Sequence, residues 1–134
     1  MIGVEGRYSA AVSRPRAEQF KVRFPDGWLA ERLPIGAAAG RWWLTVVFSG
    51  VTVQENPSDD PLQEFQGLQW DLRDRIRLKG VGAPFDLVGG DGGGDGRSVV
   101  DASWEFSQNG VTGLEIEYLH EGRPVAHESI GLVP

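Results

Sequence analysis

Three groups of residues in this chain could do chemistry, and each lacks part of what that chemistry requires. Asp91, Asp95 and Asp101 lie in or just after the run Gly89-Gly90-Asp91-Gly92-Gly93-Gly94-Asp95-Gly96. Carboxylates among backbone carbonyls can satisfy a hard cation such as calcium. Counted as an EF-hand loop from Asp91, however, the third position is Gly93 and the last is Ala102, where a bidentate glutamate belongs. The glycine spacing also misses the calcium-binding β-helix repeat, and no Lys-Ser or Lys-Thr ending makes it a phosphate loop. With so few side chains, residues 89–97 read as a flexible glycine-rich loop, and no metal site is expected.

The second group is His120 and His127, on the two strands of a C-terminal hairpin. Two imidazoles with a carboxylate can form an acid–base pair or part of a metal site. Each instead falls near a hairpin end, where surface histidines are common. The third is Asp74, flanked by Arg73, Arg75 and Arg77. Facing inward it could act as a general base, but Arg73-Asp74 reads more simply as a turn or bulge. The chain has no cysteine, which removes thiolate nucleophiles, disulfides and cysteine-ligated metals. No serine elbow, zinc-binding His-Glu helix or nucleotide fingerprint is present. Nothing in the residues argues for an enzyme, and no cofactor is expected.

Binding residues are easier to nominate. If Leu114, Ile116 and Tyr118 face a core, Glu115 and Glu117 face outward, and in one register of the last hairpin Glu128 joins them as an acidic surface. The other register pairs Glu117 with His127 and turns Glu128 toward the core. Trp42-Trp43 is the second candidate, since neighbours on a strand point to opposite faces. Trp43 is then either exposed, and suited to contact with a partner, or covered by a second layer. The candidate binding residues are therefore Trp43, Glu115, Glu117 and Glu128.

The elements that must carry these residues are short strands. Phe20-Lys21-Val22-Arg23-Phe24 alternates strictly, and Pro25-Asp26-Gly27 has the chemistry of a three-residue hairpin loop. This sets Phe24 against Trp28 and Lys21 opposite Glu31. Trp42, Leu44, Val46 and Phe48 share a face of the sheet's central strand, and Ser49-Gly50 predicts a hairpin to Val51 and Val53. Asn109-Gly110 predicts another hairpin, one that needs a bulge near Thr112-Gly113 to bring Phe106 opposite Leu114 and Trp104 opposite Ile116. Asp60-Pro61-Leu62-Gln63 starts a short helix near 61–66, closed by Gly67, although the apolar set Leu62, Phe65, Leu68, Leu72 and Ile76 would also suit a longer one. Leu68, Trp70 and Leu72, then Ile76 and Leu78, alternate as strands. Val4 to Val12 reads as a further strand.

Together these predict a mainly β chain: a single domain over 1–134, either an antiparallel barrel or a two-layer sandwich of about eight to ten strands. The expected core is Phe20, Val22, Phe24, Trp42, Leu44, Val46, Phe48, Trp70, Trp104, Phe106, Leu114, Ile116 and Tyr118. A net charge of −6 disfavours nucleic acid and anionic membranes as partners. The N-terminus lacks a signal-peptide pattern, which points to the cytoplasm. The leading expectation is a small non-enzymatic module that binds a protein partner with a basic surface, of the immunity or neutralising type. The alternative is a β-barrel holding a small apolar ligand, or a barrel enzyme with scattered catalytic residues.

Overall fold

The row Trp42, Leu44, Val46, Phe48 organises the molecule, because both edges of its strand are occupied. In the computed structural model, which describes residues 20–52, 61–84, 87–94 and 98–132, with helical side chains from Phe65 onward, this row is almost wholly buried. The strands are β1 (Phe20–Arg23), β2 (Leu29–Arg32), β3 (Gly36–Ala38), β4 (Arg41–Ser49), β5 (Ile76–Val81), β6 (Leu87–Gly94), β7 (Val100–Ser107), β8 (Gly113–His120) and β9 (Arg123–Gly131). One helix, α1 (Pro61–Arg73), precedes β5.

Two antiparallel sheets result. The larger runs β1-β2-β4-β7-β6, with β3 beside the first residues of β4; the smaller runs β5-β8-β9. Neither closes into a barrel, so the two-layer alternative is the one adopted. Alternation gives each sheet an apolar inner face, and these faces share one core that includes Trp28, Trp42, Phe48, Trp104, Phe106, Leu114, Ile116 and Tyr118. The first hairpin forms as its sequence implies: Lys21 lies opposite Glu31, and Phe24 N–H donates to the Trp28 carbonyl at 2.8 Å.

Four expectations fail, for identifiable reasons. Ser49-Gly50 does not return the chain along β4, because β2 and β3 fill one edge of β4 and β7 the other. Val51 still packs against the core, while Val53 lies outside the described residues, as does Val4 to Val12. Asn109-Gly110 does not join paired strands either. It carries the chain from β7 in the large sheet to β8 in the small one, so Phe106 faces Trp42 and Leu114 faces Gly80 and Ile130. A register that needed an extra residue to work was describing two different sheets.

The helix does not stop at residue 66. Gly67 costs an interior helix only about 1 kcal/mol, and Phe65, Leu68 and Leu72 form an i, i+3, i+7 stripe that packs on the core. The helix therefore runs to Arg73, with Asp74 in the turn beyond it. Trp70, off that stripe, is 63% exposed instead of buried. Finally, residues 89–94 are not a flexible loop but most of β6, paired with β7 from Leu87↔Phe106 to Gly94↔Val100 around an irregularity at Val88. Residues 95–97 lie outside the described residues.

Candidate functional site

Two of the five glycines of β6, Gly90 and Gly92, lie under α1. A Cβ on Gly92 would come 2.7 Å from the Gln69 amide nitrogen, and one on Gly90 would meet the Arg73 guanidinium and lie 3.0 Å from the Ser103 carbonyl. The Gln69 and Arg73 side chains of the helix thus lie directly against the backbone of an edge strand. Arg73 locks it there: Nη1 donates to the carbonyls of Asp91 (3.1 Å) and Ser103 (2.9 Å), and the guanidinium lies 4.4 Å from the Trp104 ring centroid. Burial pulls Arg73 below its ordinary pKa, opposed by Asp74 and Asp91, but a guanidinium so placed stays charged.

Between α1 and β6 opens a cleft of about 680 Å³. Its apolar lining is Trp70 from the helix with Leu87 and Val88 from the strand, at 63%, 50% and 43% exposure. Gln66 and Gln69 add hydrogen-bonding groups, and Asp91, Asp101 and Arg73 add charge. Gly90 and Gly92 face α1, so by alternation Asp91 points to the opposite face, where Gly93 approaches Asp101. Lining residues thus come from both faces of β6, and the cleft opens onto the edge of the strand that no described strand pairs. An exposed apolar group of this kind beside polar anchors suits recognition of another molecule.

The residues nominated from sequence do not meet in one site. Trp43 is 43% exposed on the outer face of the large sheet, beside Glu105, which pairs with Arg41. Glu115 and Glu117 lie on the outer face of the small sheet, directly opposite Lys79 and Arg77, and Arg77 Nη1 reaches Glu117 Oε1 at 3.0 Å. Cross-strand cations therefore balance those glutamates. The last hairpin takes the register that pairs Glu117 with His127, and Glu128 turns inward, opposite Ile116. The three-glutamate surface does not form.

Glu128 instead anchors a buried polar cluster between the layers. Arg32 Nε donates to both its carboxylate oxygens (2.9 and 3.0 Å), Arg32 Nη2 to Oε2 (2.5 Å), and the Tyr118 hydroxyl to Oε1 (3.1 Å). Arg32 is 2% exposed. Burial and the neighbouring Glu128 carboxylate raise the Tyr118 pKa far above the ordinary 10.0. With every oxygen answered, this is a bolt between β2, β8 and β9 and not a reactive centre.

The histidines do not converge: His120 is paired with Arg123 beside the final turn and His127 with Glu117. Among the described residues no group of three or more His, Asp or Glu could hold a metal. Asp91 and Asp101 lie on adjacent strands, and Asp95 is outside the described residues. No described helix is long and apolar enough to cross a membrane.

The cleft itself was absent from the sequence reading, although its signal was available. Once 61–73 is read as one helix, Trp70 falls off the Phe65/Leu68/Leu72 stripe and must face outward. Comparison with family models, curated proteins and solved structures finds no match, so function rests on the site's own geometry.

Proposed function

We propose that this protein is a small non-enzymatic binding module that engages a protein partner through the α1–β6 cleft. The observation that supports this is the grouping of Trp70, Leu87 and Val88, three exposed large apolar side chains, in one cleft beside a strand edge left unpaired among the described residues. Tryptophan is a frequent energetic anchor in protein interfaces. The net charge of −6 and the carboxylates of Asp91 and Asp101 favour a partner with a basic surface. Absence of cysteine fits work in the cytoplasm, and neutralising such a partner by covering it needs no chemistry from this chain.

The test uses paired baits in the host: the wild type and a Trp70→Ala/Leu87→Ser double variant, with melting curves confirming that both fold. A protein retained by the wild type and lost by the variant, quantified by mass spectrometry, supports the cleft as the binding surface. Equal recovery of all proteins on both baits would overturn it.

A further inference from the structure

Among the described strands, five present an outer edge, and four of them are guarded: β3, beside β4 alone, is only three residues long. β1 carries Lys21 and Arg23, β5 carries Arg77 and Lys79, and β9 carries Arg123 and Pro124. Charged side chains, lysine above all, and proline are the usual devices that stop an edge from pairing with another chain. β6 has neither. Its eight residues are Leu-Val-Gly-Gly-Asp-Gly-Gly-Gly, with Asp91 the single charge. Five glycines leave the backbone open to close approach, and α1 with Arg73 holds that backbone extended. Gly92 N–H donates to the carboxylate of Asp91 at 2.8 Å, a bond that an incoming carbonyl can replace.

We infer that the outer edge of β6, unpaired among the described residues, accepts an extended peptide as an added strand. The peptide carries apolar side chains at the alternate positions that face Trp70 and basic ones at the positions between, which face Asp91 and Asp101. This rests on the α1–β6 cleft being the binding site and names the form its ligand takes. A strand added at the usual spacing of about 4.8 Å places successive side chains on opposite faces. One face of β6 carries α1 with Trp70; the other carries Asp91 and Asp101, neither of which is in an ion pair among the described residues. Charge selects this occupant over a second copy, since two chains of −6 repel.

The probe is a displayed library of random peptides about a dozen residues long, panned against the full chain at low salt, with the tightest binder then synthesised. Selected sequences are expected to alternate apolar with Lys or Arg. The synthetic peptide is expected to shift and protect the backbone amides of Leu87–Gly94 in NMR. Methylating its backbone nitrogens at one alternate set is expected to weaken binding at least about tenfold while the other set leaves it unchanged, which side-chain docking alone cannot produce. Trp70→Ala is expected to weaken it by about tenfold or more, and Asp91→Asn severalfold. Binding that needs Trp70 but ignores backbone methylation would overturn strand addition while leaving the cleft as the site. No selected peptide, or shifts confined to another surface, would overturn both. Amides of β6 already protected in the free chain, whether monomeric or dimeric, would mean that another segment or a second copy holds the edge, and would overturn the proposal.

Discussion

Replacing Glu128 by glutamine keeps the shape of the side chain and removes the carboxylate charge that meets Arg32 in this cluster. Arg32 is 2% exposed, and three of the contacts from its guanidinium end on Glu128. Deleting one member of a buried ion pair costs about 3–5 kcal/mol, chiefly because the survivor remains charged and desolvated. For 134 residues an unfolding entropy of about 2.1 cal/mol/K per residue converts that to a fall of roughly 11–18 °C in Tm. Calorimetry of Glu128→Gln reads it directly. The companion is Arg32→Met/Tyr118→Phe/Glu128→Leu, which removes the three polar side chains of the cluster together, so that none of the three is left facing a missing partner. It is expected to recover to within about 1–2 kcal/mol of the wild type or to exceed it. A Glu128→Gln penalty below about 1 kcal/mol, or a triple variant no better than the single one, would refute the account of the cluster as a desolvated bolt between the layers.

Other perturbations follow the same contacts. The Arg75 guanidinium, donating to both oxygens of Asp26 (3.1 and 2.6 Å), holds the Asp26 carboxyl below its ordinary 3.8. A group depressed in the fold contributes stability above its unfolded pKa and loses it as pH falls through the folded value. The gap between wild type and Asp26→Asn, measured by denaturant melts, should therefore be widest near neutrality and close in acid. Tyr118 has the opposite sign: its raised pKa keeps the proton on in the fold while the unfolded chain loses it, so stability should fall as pH rises past about 10. Tyr118→Phe should flatten that part of the alkaline profile. Ala39 and Glu121 both sit at a φ of 52° ahead of glycines at 76° and 78°, in two-residue turns that favour Asn-Gly. Ala39→Asn and Glu121→Asn should each gain about 1 kcal/mol in chemical denaturation.

How much of this was legible in the sequence depends on whether a contact was local. Phe20–Trp28 was readable down to the Lys21–Glu31 pair, because alternation, turn residues and charge all lie within a dozen positions. The inward faces of β4, β7 and β8 were readable for the same reason, since burial follows the period of two whichever strand lies alongside. Partners were not. Nothing near Ser49-Gly50 says that β4 already has neighbours on both sides, and nothing in Asn109-Gly110 distinguishes a hairpin turn from a step between layers. The glycine run misled because glycine was weighed as chain flexibility, whereas at Gly90 and Gly92 it is a clearance that a helix elsewhere in the chain occupies. Trp70 was misplaced with it: the same residues satisfy a period of two over five positions and of 3.6 over thirteen, and only the longer span decides.

The pairing of Trp42 with Phe106 and of Phe48 with Val100 also bears on how the chain is made. During synthesis β1 to β4 can assemble as soon as they emerge, but the far edge of β4 has no neighbour until residue 100 and beyond follow. At ordinary ribosome speeds that is a wait on the order of seconds. Throughout it, one face rich in tryptophan, leucine, valine and phenylalanine stands beside an unpaired backbone. The nascent protein passes through its most adhesive state at its own centre, so its yield in the cell should respond to chaperone capacity and to translation rate over residues 50–100 more than to changes on the finished surface.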